Sequence, residues 1–204
     1  MVVAVAKSGT RRARTRDARS RLSAGDWAQA ALVALGEGGL SAVAIERLAT
    51  QLGTTKGSFY WHFPNRAALI DAALSRWEQQ RTEAVIAHME REPDPRRRLR
   101  WLFTEGMKEA PADRTELPLL ANAHDPVVAP VLRRVTQRRI DYMAALFEQL
   151  GLRSAEAHRR ALLAYTVYLG FVQLAHAAPG VLPAEPNERR RFADSALGAL
   201  LPPA

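Results

Sequence analysis

The sequence predicts an all-α protein, and three observations lead there. Strand-like alternation is almost absent, apolar residues recur at three- and four-residue spacing in run after run, and short Gly, Pro or Asn breaks separate the runs. The 204 residues are 48% hydrophobic and 25% charged, enough apolar material for a real core. That balance excludes collagen-like and disordered chains. The absence of cysteine excludes a disulfide framework, a thiolate metal site and a cysteine nucleophile.

The elements follow in order. Ser23 with Asp26 three residues on is a capping arrangement that opens a first helix, which carries Trp27, Ala31, Ala34 and Leu35 on one side and stops at the glycines of 36–39. A second helix is expected over 43–51, ending at Gly53. A third starts at Thr54 or Thr55 and reaches about His62. Pro64 interrupts, and Asn65 is placed to cap a long fourth helix to about residue 88. After Glu92-Pro93-Asp94-Pro95, a helix over 95–109 buries Leu99, Leu102, Phe103 and Gly106. A weakly ordered stretch with Pro111, Pro118 and Pro126 comes next, with room for one short helix.

Residues 127–150 form a long amphipathic helix. Its apolar stripe is Val128, Leu132, Val135, Tyr142, Met143, Leu146 and Leu150, with Arg133, Arg134, Arg138 and Glu148 facing water, and Gly151 stops it. The next helix, 154–177, is apolar nearly all round from Ala161 onward. A helix without a polar face must be covered on two sides, and a final helix over 188–201 supplies only part of that cover. A subunit interface through 154–177 and 188–201 is the economical explanation; a fully internal core helix is the alternative. The apolar stretch from Ala161 to Ala175 contains Gln173 and falls short of the roughly 18 apolar residues that cross a bilayer, so no membrane span is expected.

The net charge of +8 is unevenly placed. Residues 1–21 carry seven Lys/Arg against Asp17, so most of the excess lies in one leading arm, which favours a polyanion. The arm leaves three readings open: DNA contact, an inert solubilising tail, or a targeting peptide. The apolar 2–6 stretch precedes the charges and is too short for a secretory signal, and the absence of cysteine fits a cytoplasmic protein.

The stretch 45–63 reads IERLATQLGTTKGSFYWHF, two short helices with a tight turn at Gly53, the spacing of a helix-turn-helix. Ile45, Leu48, Ala49 and Leu52 hold the first of them to a core, and Phe59 packs the second back inward. That leaves Thr54, Thr55, Lys56, Ser58, Tyr60, Trp61 and His62 to be shared between packing and an outer face. Small donors, one Lys and aromatic hydroxyl or N–H groups suit phosphates and base edges. A free helix N-terminus also favours phosphate.

The longer run LATQLGTTKGSFYWHFPNRAALIDAAL resembles the DNA-binding segment of the TetR family of bacterial transcriptional regulators, through Ala49, Gly53, the 55–63 run and P-N-R-x-A-L-I after it. The resemblance covers about residues 20–80. It implies a basic arm (1–19), an N-terminal three-helix DNA-binding domain (20–80, helix-turn-helix about 44–63), and a C-terminal helical domain (81–204) that dimerises and holds a small-molecule effector. By resemblance Thr55 starts the recognition helix, Lys56 and Ser58 face bases or phosphates, and Gly57 permits close approach. Tyr60, Trp61 and His62 contact the backbone, with Arg66 as a phosphate clamp. The chain departs from the family at Ala44, which cannot cap, so the second helix is expected to begin earlier, from Ser41. It departs again at Glu46, which would repel phosphate. Trp61 and Phe63 are equally read as module core, and His62 as helix packing.

The scattered His88, His124, His158 and His176 lack metal-ligand spacing. A Gly-x-Ser-x-Gly elbow, a Walker phosphate loop and a Rossmann glycine run are missing, so neither metal, cofactor nor enzymatic activity is expected. Candidate effector-lining groups are Trp101, Phe103, Met107, Leu119, His124, Tyr142, Phe147, Tyr165 and Phe171, each also read as plain core. The expected function is a homodimeric repressor released from a palindromic double-stranded DNA operator by a small molecule. The alternatives are an activator or packaging protein without effector control, and a helical enzyme.

Overall fold

A computed structural model describes residues 22–202, and among these every regular element is helical. The basic arm, including Arg14, Arg16, Arg19 and Arg21, lies outside the described residues. The helices are α1 (Ala24–Ala42), α2 (Ile45–Gln51), α3 (Lys56–Tyr60), α4 (Arg66–Glu78), α5 (Ala84–Met89), α6 (Pro95–Glu109), α7 (Glu116–Ala121), α8 (Val128–Gln149), α9 (Ser154–Ala177) and α10 (Pro186–Leu200).

Local chemistry sets the helix ends. Ser23 Oγ accepts from the Asp26 N–H while Asp26 accepts from the Ser23 N–H, closing both ends of a capping box. Helical geometry in α1 fails at Gly38 and Gly39; Gly39 takes φ 64°, open to glycine at no steric cost. The second helix does not begin at Ser41. Ser41 Oγ instead donates to the Gly38 carbonyl, and Ala44 stands as an N-cap without a side-chain hydrogen bond. Asn65 Oδ1 accepts from the Ala68 N–H at 2.9 Å and starts α4. The long fourth helix runs as expected but not uniformly. Its ladder widens into a π turn at Gln79–Glu83 before resuming as α5. Such turns often mark functional sites.

Two apolar cores form, and α8 belongs to both. Trp27, Leu35, Leu48, Phe59, Leu69, Leu74 and Trp77 fill the first, a head built from α1–α4. That core also takes in Leu119 of α7 and Val128, Val131, Leu132 and Val135 of α8, residues the sequence places with the second part of the chain. The other end of α8 contributes Ile140, Met143, Leu146 and Phe147 to a body core shared with α6, α9 and α10. Ion pairs join head to body: Arg134 Nε–Glu78 Oε1 at 2.8 Å and Arg138 Nε–Glu83 Oε1 at 3.1 Å. Arg100 grips Asp194 with two hydrogen bonds of 2.7 and 2.8 Å, tying α6 to α10.

The apolar surplus of α9 is not absorbed within one chain. Ala157, Ala161, Ala164, Phe171 and Val172 are buried, while Leu162, Leu163 and Leu174 remain exposed, joined by Phe192 of α10. Phe192 lies against Phe171 at 5.7 Å between ring centroids.

Candidate nucleic-acid interface and the cavity behind it

Position along α3 is set from inside. Phe59 is fully buried, edge-on to Trp27 at 5.4 Å and stacked near Phe63 at 5.8 Å. Burying such a ring contributes about 1.5–3 kcal/mol, enough to fix which face of a five-residue helix turns outward. Gly53 takes φ 65° and ends α2, and the Thr54 N–H donates to the Ala49 carbonyl at 2.9 Å. Thr55 caps α3, its hydroxyl accepting from the Ser58 N–H.

Outward stand Thr55, Lys56, Gly57, Tyr60 and Trp61, with Thr54, Ser58 and His62 half-buried beside them. Trp61 is 88% exposed, so the core reading of that residue does not hold; Phe63, at 8%, is core. A tryptophan so exposed beside Tyr60 is the kind of aromatic pair that marks a contact surface. A Cβ added at Gly57 would meet only Thr55 Oγ1 at 3.6 Å, an ordinary contact, so nothing inside the chain requires glycine there.

Two charged residues of this surface have partners within the chain that the sequence does not announce. Lys56 Nζ bonds Glu46 Oε1 of α2 at 2.6 Å, and this hydrogen bond with its carboxylate charge raises the lysine pKa and lowers that of Glu46. Glu46 therefore sits beside Lys56 and offsets its charge. Arg66, expected as a phosphate clamp, is exposed and bonds back to its own chain: its Nε donates to the Val43 carbonyl at 2.7 Å and its Nη2 to the Leu40 carbonyl. Those carbonyls lie just past the glycine break in α1, and that of Leu40 also accepts from the Val43 N–H at 3.2 Å.

Behind the head, a cavity of about 290 Å³ opens among the π turn, α5, α6, α8 and α9. Of the residues expected to line an effector site, Trp101, Phe103, Met107, Tyr142 and Tyr165 border this cavity. Leu119 does not, because it is fully buried in the head core. Phe147 and Phe171 are sealed in the body core, and His124 is exposed on the connection before α8. Sequence reading missed Arg81, Thr82, Gly106, Asp113, Arg139 and Tyr168 on the cavity wall. No periodic signal marks them, since the groups that hold the charged ones lie far along the chain.

Arg139 is the most constrained of these. Its Nη1 bonds Glu116 Oε1 at 2.8 Å, its Nε donates to Thr82 Oγ1 at 3.0 Å, and its guanidinium lies 5.2 Å from the Trp77 ring centre. Burial is the largest single influence and works against the charge, but the attraction of Glu116, with Tyr165 and Tyr168 adding to it, outweighs burial and raises the arginine pKa. One side chain thus joins the cavity wall, the π turn, the last large aromatic of the head and α7. In turn α7 is close to α1: a Cβ at Gly36 would come within 3.3 Å of the Arg114 carbonyl oxygen, just ahead of α7.

Among the described residues no helix is long and apolar enough to cross a membrane, and no group of three or more His, Asp or Glu is placed to hold a metal ion.

Residues 29–73 match the family model described as bacterial regulatory proteins, tetR family. No curated protein matches the chain by sequence. Solved structures share the fold over most of the length. A transcriptional regulator from Rhodococcus sp. Rha1 has a TM-score of 0.72 at 22% identity, covering 88% of this chain and 96% of that one. SmeT in complex with triclosan gives 0.69 at 20% identity, covering 89% and 95%. AibR bound to isovaleryl coenzyme A and operator DNA gives 0.64 at 17% identity, covering 89% and 99%.

Proposed function

We propose that the chain, whose residues 29–73 match the tetR family model, is a homodimeric repressor of that family that leaves a palindromic operator when a small molecule fills the cavity behind its reading head. The observation that carries this reading is the division of labour on α3. Phe59 locks the helix to the core while Thr55, Lys56, Tyr60 and Trp61 are left facing outward. Thr54, Ser58 and His62 flank that surface, and Gly57 lets the helix backbone come close to the groove. Lys56 and Ser58 read base edges or nearby phosphates, and Tyr60 and Trp61 brace the DNA backbone. Arg66 holds the α1–α2 connection.

The dimer forms through α9 and α10. Leu163, Leu174 and Phe192 are exposed on one chain, and Gly170 and Gly198 have open space where a Cβ would sit. An apolar surface with gaps at glycine suits close helix packing against a second copy. The two α3 helices then enter major grooves about 34 Å apart. Occupancy of the cavity acts on α4 through the π turn and on α1 through α7, changing the separation of the two heads. To take an operator from 99% to 1% bound, the ligand must prefer the released state by ~5.5 kcal/mol. The protein works in the cytoplasm, where its DNA is.

Selection of bound sequences from random DNA followed by gel-shift titration tests the reading. Lys56→Ala with Tyr60→Phe should weaken binding to the selected sequence at least tenfold while the sedimentation profile stays that of a dimer. Unchanged affinity would remove α3 from the interface, and a wild-type monomer indifferent to half-site spacing would remove the dimer.

A further inference from the structure

The cavity wall carries an electrostatic imbalance that says what kind of molecule it takes; the inference rests on reading the cavity as the effector site. Glu105, Glu109 and Asp113 recur every four residues along and just past α6, so they fall on one stripe, and all three line the cavity. The negative end of the α6 dipole lies at the same place. Among the described residues only two cations, Arg81 and Arg139, line the same cavity, and one is already committed, since Arg139 is paired with the buried Glu116. The other, Arg81, is divided: it lies 3.5 Å from Glu109 Oε2 and 3.6 Å from Asp113 Oδ2. Both distances exceed the 2.7–2.9 Å of a close charge-assisted bond. Lys108 serves Glu105 at 2.8 Å from the exposed side of the helix. One carboxylate is therefore left over, and Asp113 is 95% hidden from solvent that would otherwise compensate it.

Nearby groups register the same field. Burial pushes the Tyr168 hydroxyl pKa up, and the carboxylates of Glu116 and Asp113 push the same way against Arg139. The rest of the wall is mostly apolar: aliphatic groups such as Val85, Ile86 and Leu102, with Trp101, Phe103 and Tyr165 offering ring faces and Met143 an adaptable contact.

We propose that the cavity binds a small organic cation, an apolar body carrying one protonated amine, with the ammonium sharing the Glu109 and Asp113 carboxylates with Arg81 and the body against Trp101 and Tyr165. Such a ligand supplies the missing positive charge. An anionic ligand would meet three carboxylates and only one incompletely paired guanidinium.

Three probes with one carbon frame test the assignment: 4-phenylbutylamine, 4-phenylbutan-1-ol and 4-phenylbutanoate, titrated into the full chain at neutral pH by calorimetry and tryptophan fluorescence. A charge-assisted hydrogen bond exceeds a neutral one by roughly a factor of ten in affinity. The amine should therefore bind about tenfold tighter than the alcohol, with the carboxylate weakest. Glu109→Gln, at an exposed position, should cut the amine-to-alcohol ratio several-fold, and Asp113→Asn should do so more strongly. Asp113 Oδ1 also accepts from the Thr115 N–H at 2.8 Å, so if that variant fails to fold, the Glu109 variant carries the test. Gly106→Leu, which projects into the cavity, should weaken all three probes together.

A carboxylate that binds tighter than the amine, or a ratio unmoved by Glu109→Gln, overturns the cation assignment and leaves the cavity as a site for another class. Failure of all three probes to bind at millimolar concentration overturns the assignment and the effector reading with it.

Discussion

Removing the Glu116 charge should be among the most damaging conservative changes available to this chain. Glu116 is 1% exposed and its partner Arg139 has 13% of its side chain exposed, with 2.8 Å between them. Glu116→Gln keeps the shape and one accepting oxygen but leaves the guanidinium buried without a countercharge. Breaking a buried pair from one side costs about 3–5 kcal/mol, and the surviving acceptor puts this case near about 3 kcal/mol. For a chain of this size each kcal/mol moves the melting temperature by roughly 2–4 °C, so a fall of roughly 6–12 °C is expected. Urea unfolding followed by circular dichroism, on Glu116→Gln, Arg139→Met and the double variant, measures the cost. The double variant, with both charges gone, should recover most of the loss and give a coupling of at least about 2 kcal/mol. A Glu116→Gln cost below about 0.5 kcal/mol, or strict additivity, would mean that the pair holds nothing together between α7, α8 and the π turn.

Three further outcomes follow from the same contacts. Arg66→Ala should cost about 1–2 kcal/mol of stability, because two carbonyls past the α1 break lose a charged donor, and should leave the salt dependence of DNA binding unchanged. A slope shallower by about 0.9 would restore its phosphate role. Leu163→Glu should convert a dimer into a folded monomer in sedimentation equilibrium; a dimer that survives would move the interface away from the exposed face of α9. Glu78 is held below the usual carboxylate range by its hydrogen bond from Arg134, burial opposing. Its contribution is therefore fully present above about pH 4.3, the unfolded value, and fades as pH falls through the lower folded value. Acid titration of stability should show a steeper decline in the wild type than in Glu78→Gln, and identical curves would contradict the link.

What the sequence revealed and what it hid divide by the range of the interactions. The bounds 95–109 and 154–177 were legible because Asp94-Pro95 and Gly151 punctuate apolar runs that need no distant partner. The helix-turn-helix was legible because Gly53 and the Thr55 cap act locally, and because Phe59, though it packs on Trp27 32 residues back, stands out as the apolar residue of a polar segment. The contacts Arg66 makes within the chain were not legible because its acceptors lie 23 and 26 residues back, beside the break at Gly38 and Gly39. Arg139 and Asp113 left no pattern at all: Glu116 stands 23 residues from Arg139, and Arg81 stands 32 from Asp113. Apolar periodicity also cannot separate a lining residue from a core residue. Phe103 and Phe147 carry the same signal in their helices, yet only Phe103 borders the cavity.

Dimethyl sulfate protection of guanine N7 on a selected operator probes the major groove where α3 is held to lie. Two protected patches with centres about 10 base pairs apart, both lost in Lys56→Ala with Tyr60→Phe, are the expected result. A single patch, or full protection in that variant, would contradict a paired molecule reading DNA with α3.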